Sequence, residues 1–179
     1  MRVRVHPLHF AVGDLFEENL SPNCRLIRDE ACGGDQQIPL FSSKEKSWVT
    51  EFCNVDLLVI KDGKINIIIE IEESNRIPTQ ICGKFLTSAL ARYYIHESEN
   101  NVPIGMHDSV KFIQILDTSN FKETTSKFKQ WENLEKSIMN ILPIGSSNIK
   151  EYRLFYGDES YFRDKDNCSE LVDFIKMAC

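Results

Sequence analysis

No apolar stretch in this chain approaches 18 residues, and no early apolar run lies between a charged start and a small-residue cleavage site. Neither a membrane span nor a secretory leader is therefore expected, and the chain reads as cytoplasmic with no membrane partner. The six cysteines show no C-x-x-C spacing, which argues against a zinc ribbon or a disulfide frame and for reduced, mostly buried thiols. His6-Pro7-Leu8-His9 is spaced too irregularly from Cys24 and Cys32 to read as a metal site. Gly83-Lys84 lacks the upstream glycine and following Ser/Thr of a phosphate-cradling loop. Internal repeats, low-complexity tracts and linkers are also missing, so residues 1–179 are expected to form one domain.

A surplus of basic charge is missing too, and the formal net charge is −6. The deficit is local. Residues 29–73 carry ten acids against Lys44, Lys46, Lys61 and Lys64, and the remainder of the chain is neutral. A neutral remainder can still present a basic face, so the overall charge argues only weakly against a nucleic-acid partner.

The acids concentrate around two β-branched runs, Val55–Ile60 and Ile65–Ile71, separated by Asp62-Gly63. That pattern predicts a β-hairpin. Side chains alternate along a strand, so Glu70 and Glu72 share a face. A type I turn with Gly63 left-handed would pair Ile60 with Lys64 and bring Asp56 onto that face. This register also gathers Val55, Leu57, Val59, Ile65, Ile67, Ile69 and Ile71 on the other side, whereas pairing Lys61 with Lys64 would mix acids into both faces. Converging carboxylates of this kind suit a hard divalent cation such as Mg²⁺. Solvated charge that blocks edge-to-edge aggregation is the alternative reading.

Around the hairpin, apolar spacing predicts a helix over residues 8–20, with Glu18 at the border of its inner face. A short strand at Arg25–Arg28, a long loop over residues 29–47 and a strand over Trp48–Cys53 follow, with Glu51 as an alternative acid. Pro78 opens a helix expected to run from Thr79 to His96, with Gln80 and Lys84 on one face near its start. Ser109–Leu116 reads as a buried strand, Phe121–Leu142 as a helix, Tyr152–Tyr156 as a strand and Ser169–Met177 as a closing helix. The fold class expected is α/β, a three-layer type of sandwich around a mixed β-sheet.

An acid at the start of one strand, a hairpin and an acid-x-Lys motif on the next strand resemble the PD-(D/E)XK nuclease superfamily, which includes most type II restriction endonucleases. Asp56 matches the first acid and Glu70 the second; Val55 replaces the usual Pro, and Glu72 stands where the family has its Lys. The order of elements is similar to the αβββαβ restriction-endonuclease-like core. The resemblance implies a Mg²⁺-dependent DNA endonuclease, with Mn²⁺ as a substitute, acting on specific duplex DNA as a homodimer. It implies Asp56, Glu70 and Glu72 as catalytic metal ligands, assisted by Glu18 on the first helix. Lys84 would be a catalytic lysine migrated from the strand. Lys44, Lys46, Arg76 and Gln80 are the candidate DNA contacts. A junction resolvase or repair nuclease, and a non-catalytic binding module of the same fold, remain alternatives.

Overall fold

The computed structural model describes residues 6–74, 76–121 and 126–178. A mixed, open eight-stranded sheet carries helices on both faces. Helix α1 (Pro7–Asn19) leads into β1 (Cys24–Arg28), β2 (Pro39–Phe41), β3 (Glu51–Asn54), β4 (Leu57–Lys61) and β5 (Lys64–Glu72). Helix α2 (Pro78–Leu90), β6 (Tyr93–Tyr94), β7 (Ile104–Asp117), α3 (Lys127–Ile141), β8 (Ile149–Gly157), α4 (Glu159–Arg163) and α5 (Ser169–Ala178) complete the order.

Strands β1, β4 and β5 form an antiparallel meander, and β5, β7 and β8 run parallel. The first residues of the long β7 pair instead with β6, which continues into β2 and β3. On one face Leu57, Val59, Ile67, Ile69, Ile71, Ile113 and Ile115 pack under α1 and α5. On the other, Leu58, Ile68, Phe112 and Leu116 pack under α2 and α3 through Ile81, Phe85, Trp131 and Ile138. The helices after β5 and β7 act as crossovers between parallel strands and cover one face, while α1 and α5 cover the other, so these strands are nearly all apolar.

The hairpin differs from the expected turn. Lys61 pairs with Lys64, and Asp62 and Gly63 both have positive φ (51° and 72°), a two-residue connection of the type favoured by Asp-Gly. The bulge lies inside the strand instead: Ile60 pairs with Ile65 but Val59 with Ile67, leaving Asn66 without a cross-strand partner. Buried Asn66 is held there by the bond from its Nδ2 to the Ala178 carbonyl. Beyond the bulge Leu57 pairs with Ile69, so Asp56 arrives at the level of Glu70 and on its side by a different route. Ile65, before the bulge, and Val55 belong to the opposite core from the one expected.

Other boundaries moved for tertiary reasons. Helix α2 stops at Leu90, because Arg92 N–H donates to the Phe41 carbonyl and Tyr93-Tyr94 pair with β2 and β7. The strand expected at Trp48 begins only at Glu51, with Trp48 88% exposed in the preceding turn. The expected start of the helix at Phe121 runs into residues 122–125, which lie outside the described residues; α3 is helical from Lys127. The long loop contains β2, and α4, capped by Asp158, follows directly on Gly157, the last residue of β8. Cys24, Cys32, Cys53, Cys82 and Cys168 are free thiols. No helix among the described residues is long and apolar enough to cross a membrane.

Candidate functional site

The C-terminal end of β5 brings four acidic or basic groups together from three elements. Asp56, just before β4, accepts a 2.6 Å hydrogen bond from the Ile71 N–H through Oδ2, which ties the entry of β4 to the end of its neighbour. Glu70 faces the α2 layer and is 1% exposed. Its Oε2 accepts from Lys84 Nζ at 2.9 Å, and the same ammonium lies 2.7 Å from Glu72 Oε1. Only the Glu70 contact has hydrogen-bond geometry, and Glu70 Oε1 is buried without any hydrogen-bond partner. Lys84 stands in the second turn of α2, and Gln80 is exposed one turn earlier.

The electrostatics follow from that crowding. Burial, reinforced by Asp56, raises the Glu70 carboxyl well above its usual range against the pull of Lys84. Burial also raises Glu72, with Lys84 opposing. For Lys84, burial works against the charge, but Glu70, Asp56 and Glu72 outweigh it and hold the ammonium above its ordinary value. The site is short of positive charge.

On the other side of the same strand end, Glu73 receives the start of α1. Leu8 N–H and His9 N–H donate to its Oε1 at 3.0 and 3.4 Å, satisfying two of the free donors of a helix start. His9 Nδ1 lies 3.0 Å from the same oxygen, and its Nε2 lies 3.8 Å from Asp56 Oδ1. Burial would raise Glu73, yet the His9 contacts prevail and lower it. Open depressions border the strand end, one of about 580 Å³ along His6, Asp29, Gln36 and Asn54 and one of about 430 Å³ along Pro7, Glu73, Asp117, Ser119 and Asp158.

Asp56, Glu70, Glu72 and Lys84 therefore converge, while other expected site residues do not. Glu18 is exposed and paired with Lys165 at 2.8 Å. Since α1 begins at the site, Glu18 lies nine residues beyond His9, roughly 13 Å down the axis at ~1.5 Å per residue, so the wrong end of the helix carries it. Arg76 is committed to Asp117, with Nη1 2.9 Å from Oδ2 and the guanidinium over Phe121, and is no free phosphate contact. Lys44 and Lys46 lie in the exposed β2–β3 connection, where Lys46 Nζ donates to Asn101 and Lys44 lies over Tyr93. Glu51 is exposed and accepts from Asn54.

Two residues at the site escaped the sequence reading. His9 falls in the first turn of the expected helix, but nothing in the sequence says that this turn docks on β5. Gln114, fully buried, is the β7 partner of Glu70 and shares its face; Tyr152 Oη donates to its Oε1 at 2.9 Å, and its Nε2 has no partner. A lone glutamine within the apolar run Val110–Leu116 was the available signal. No family model, curated protein or solved structure matches this chain.

Proposed function

We propose that this protein is a metal-dependent nuclease that hydrolyses phosphodiester bonds in DNA. The observation that carries the reading is the free, fully buried Glu70 Oε1 beside Asp56, with Lys84 on the other oxygen. A buried carboxylate oxygen without a partner is costly, and a bound cation would satisfy it. The donors are carboxylate oxygens, which suit Mg²⁺ or Mn²⁺. Asp56 and Glu70, with Glu72 beside them, would hold the ion; once bound, it would polarise the scissile phosphate and lower the pKa of a water. Asp56 is fixed by the Ile71 N–H on Oδ2, so its other oxygen is oriented before any ligand arrives. Lys84, released from part of its pairing, would offset charge on the phosphate in the transition state. Gln80, exposed one turn before it, would meet the adjoining backbone, with Lys44 and Lys46 as outlying phosphate contacts. On the resemblance in sequence, the substrate is specific duplex DNA and the active form a homodimer.

One observation favours a second reading, a DNA-binding module without catalysis. Lys84 closes on both glutamates, and the oxygens of Asp56, Glu70 and Glu72 do not draw within 4.8 Å of one another as a set. The deciding experiment incubates mixed-sequence plasmid and branched DNA with the protein and Mg²⁺ and sequences the fragment ends. Cleavage lost in Asp56→Ala and Glu70→Ala supports the nuclease. Recurrent end sequences identify a restriction-type enzyme, and preference for branches a resolvase. DNA binding with no cleavage sinks the nuclease in favour of the module.

A further inference from the structure

We infer that His6, His9 and Glu73 form a separate site for a borderline transition-metal ion of the Zn²⁺ class. Among the described residues, this is the one set of three potential ligand atoms lying within 4.8 Å of one another. The fold assembles it from distant parts of the chain. His6 is the N-cap of α1 and His9 stands in its first turn, a three-residue spacing that puts both imidazoles on one side of the helix start. Glu73 follows immediately on β5 and faces both, with Oε2 3.4 Å from His6 Nδ1 and Oε1 3.0 Å from His9 Nδ1.

The 3.4 Å between Glu73 Oε2 and His6 Nδ1 matches the requirement, and the three ligand atoms all lie within 4.8 Å of one another. Ligands at ~2.0–2.1 Å from a tetrahedral ion stand about 3.3–3.4 Å apart, so small side-chain adjustments suffice. Glu73 is already fixed by the N–H groups of Leu8 and His9 on Oε1, which leaves Oε2 to ligate. With Nδ1 on the metal, the other ring nitrogen of His9 would carry its proton toward Asp56 Oδ1, 3.8 Å away. A carboxylate behind a ligating histidine fixes the ring and strengthens it as a donor. Two imidazoles and one carboxylate select Zn²⁺ or its neighbours over Mg²⁺, which the all-oxygen group at Asp56 and Glu70 would prefer. His6 is half-exposed, so an ion can enter from solvent and keep one position open to water or an anion.

The proposal does not need the nuclease reading, although the two sites share Asp56, which stands behind His9 here. Its test is titration of the full chain with Co²⁺, read by its visible absorption, followed by competition with Zn²⁺. With excess Mg²⁺ present to occupy the all-oxygen group, one equivalent should bind and be displaced by Zn²⁺. His6→Ala and Glu73→Gln should each weaken binding by at least ~10²-fold, beyond the ~10–100-fold typical of losing an outer-shell partner. Glu70→Gln should bind as the wild type does. His6 is exposed, so its variant will fold, and melting curves supply a second readout: Zn²⁺ should raise the melting temperature of the wild type and of Glu70→Gln but not of His6→Ala. Absence of Co²⁺ binding overturns the site. Binding that survives His6→Ala, or that disappears in Glu70→Gln, overturns it as well. Retained Zn²⁺ binding without DNA cleavage would sink the nuclease reading and leave this one standing.

Discussion

Lys84 Nζ, on α2, lies 2.9 Å from Oε2 of Glu70, fourteen residues earlier on β5, and the same ammonium reaches Glu72. Two residues after Glu70 the strand carries another acid, Glu72, and the cation beside both comes from the helix. The relationship makes Lys84 the positive charge that the three clustered carboxylates share.

Replacing Lys84 with Ala should lower the DNA cleavage rate by about 10²-fold or more, the scale of losing one electrostatic donor in a transition state. Affinity for DNA should change little, since one ammonium facing the acids contributes little to holding the backbone. Single-turnover cleavage and a binding titration separate the two; an unchanged rate would remove Lys84 from the mechanism.

Glu70→Gln should stabilise the metal-free fold at neutral pH. The folded state raises the Glu70 carboxyl, so it holds that proton more tightly than the unfolded chain. The stability associated with the bound proton is fully present below about pH 4.5, the ordinary value, and is lost as pH rises through the raised one. The amide cannot lose that proton. Melting curves in chelator should show no gap between variant and wild type near pH 4 and a growing gap above it. Saturating Mg²⁺ should narrow the gap by stabilising the wild type alone. A variant melting below the wild type at pH 7 would contradict the burial argument.

Glu73 should behave oppositely. Its carboxyl is lowered, so its contribution is present above about pH 4.5 and is lost as pH falls through the lowered value. Glu73→Ala also removes the acceptor of two N–H groups at the start of α1. Urea unfolding at pH 7 should show a loss of about 1–2 kcal/mol, the range of a lost helix cap. The loss should shrink in acid.

Asn66→Ala should destabilise by about 1–3 kcal/mol, because the buried Ala178 carbonyl loses its donor. Deleting Asn66 should leave the site in place, since removing the unpaired residue keeps Val59 on Ile67 and Leu57 on Ile69 and holds Asp56 level with Glu70. Retained Mg²⁺-dependent cleavage in a deletion variant that still folds, judged by circular dichroism, is the expected result. Lost activity in it would show that the bulged residue itself, and not the register alone, sets the site.

The helices and strands were legible where one period dominates. Leu8, Ala11, Val12, Leu15 and Phe16 announce α1, and all are buried; the isoleucines of β5 announce a strand covered on both faces. The convergence of Glu70, Glu72 and Lys84 was legible for the same reason, because strand alternation and helix spacing are local geometry, whereas Asp56 joins them through a register other than the one expected. Gln114 hid in an apolar run because only its pairing with Glu70 gives it meaning.

By itself the sequence determined which residues share a strand face or a helix face, through the periods of 2.0 and 3.6 that the backbone imposes. The tertiary structure decided what those faces meet. A bond to the C-terminal helix placed the hairpin bulge at Asn66 rather than at the turn, so Asp56 reached its face by an unforeseen register. Docking of the start of α1 on Glu73 brought His6 and His9 to the site and carried Glu18 away from it. Pairing with β2 and β7 drew Tyr93 and Tyr94 out of a helical pattern. In each case the deciding partner lies far off in sequence, and a local period carries no information about where a distant donor or strand edge will stand.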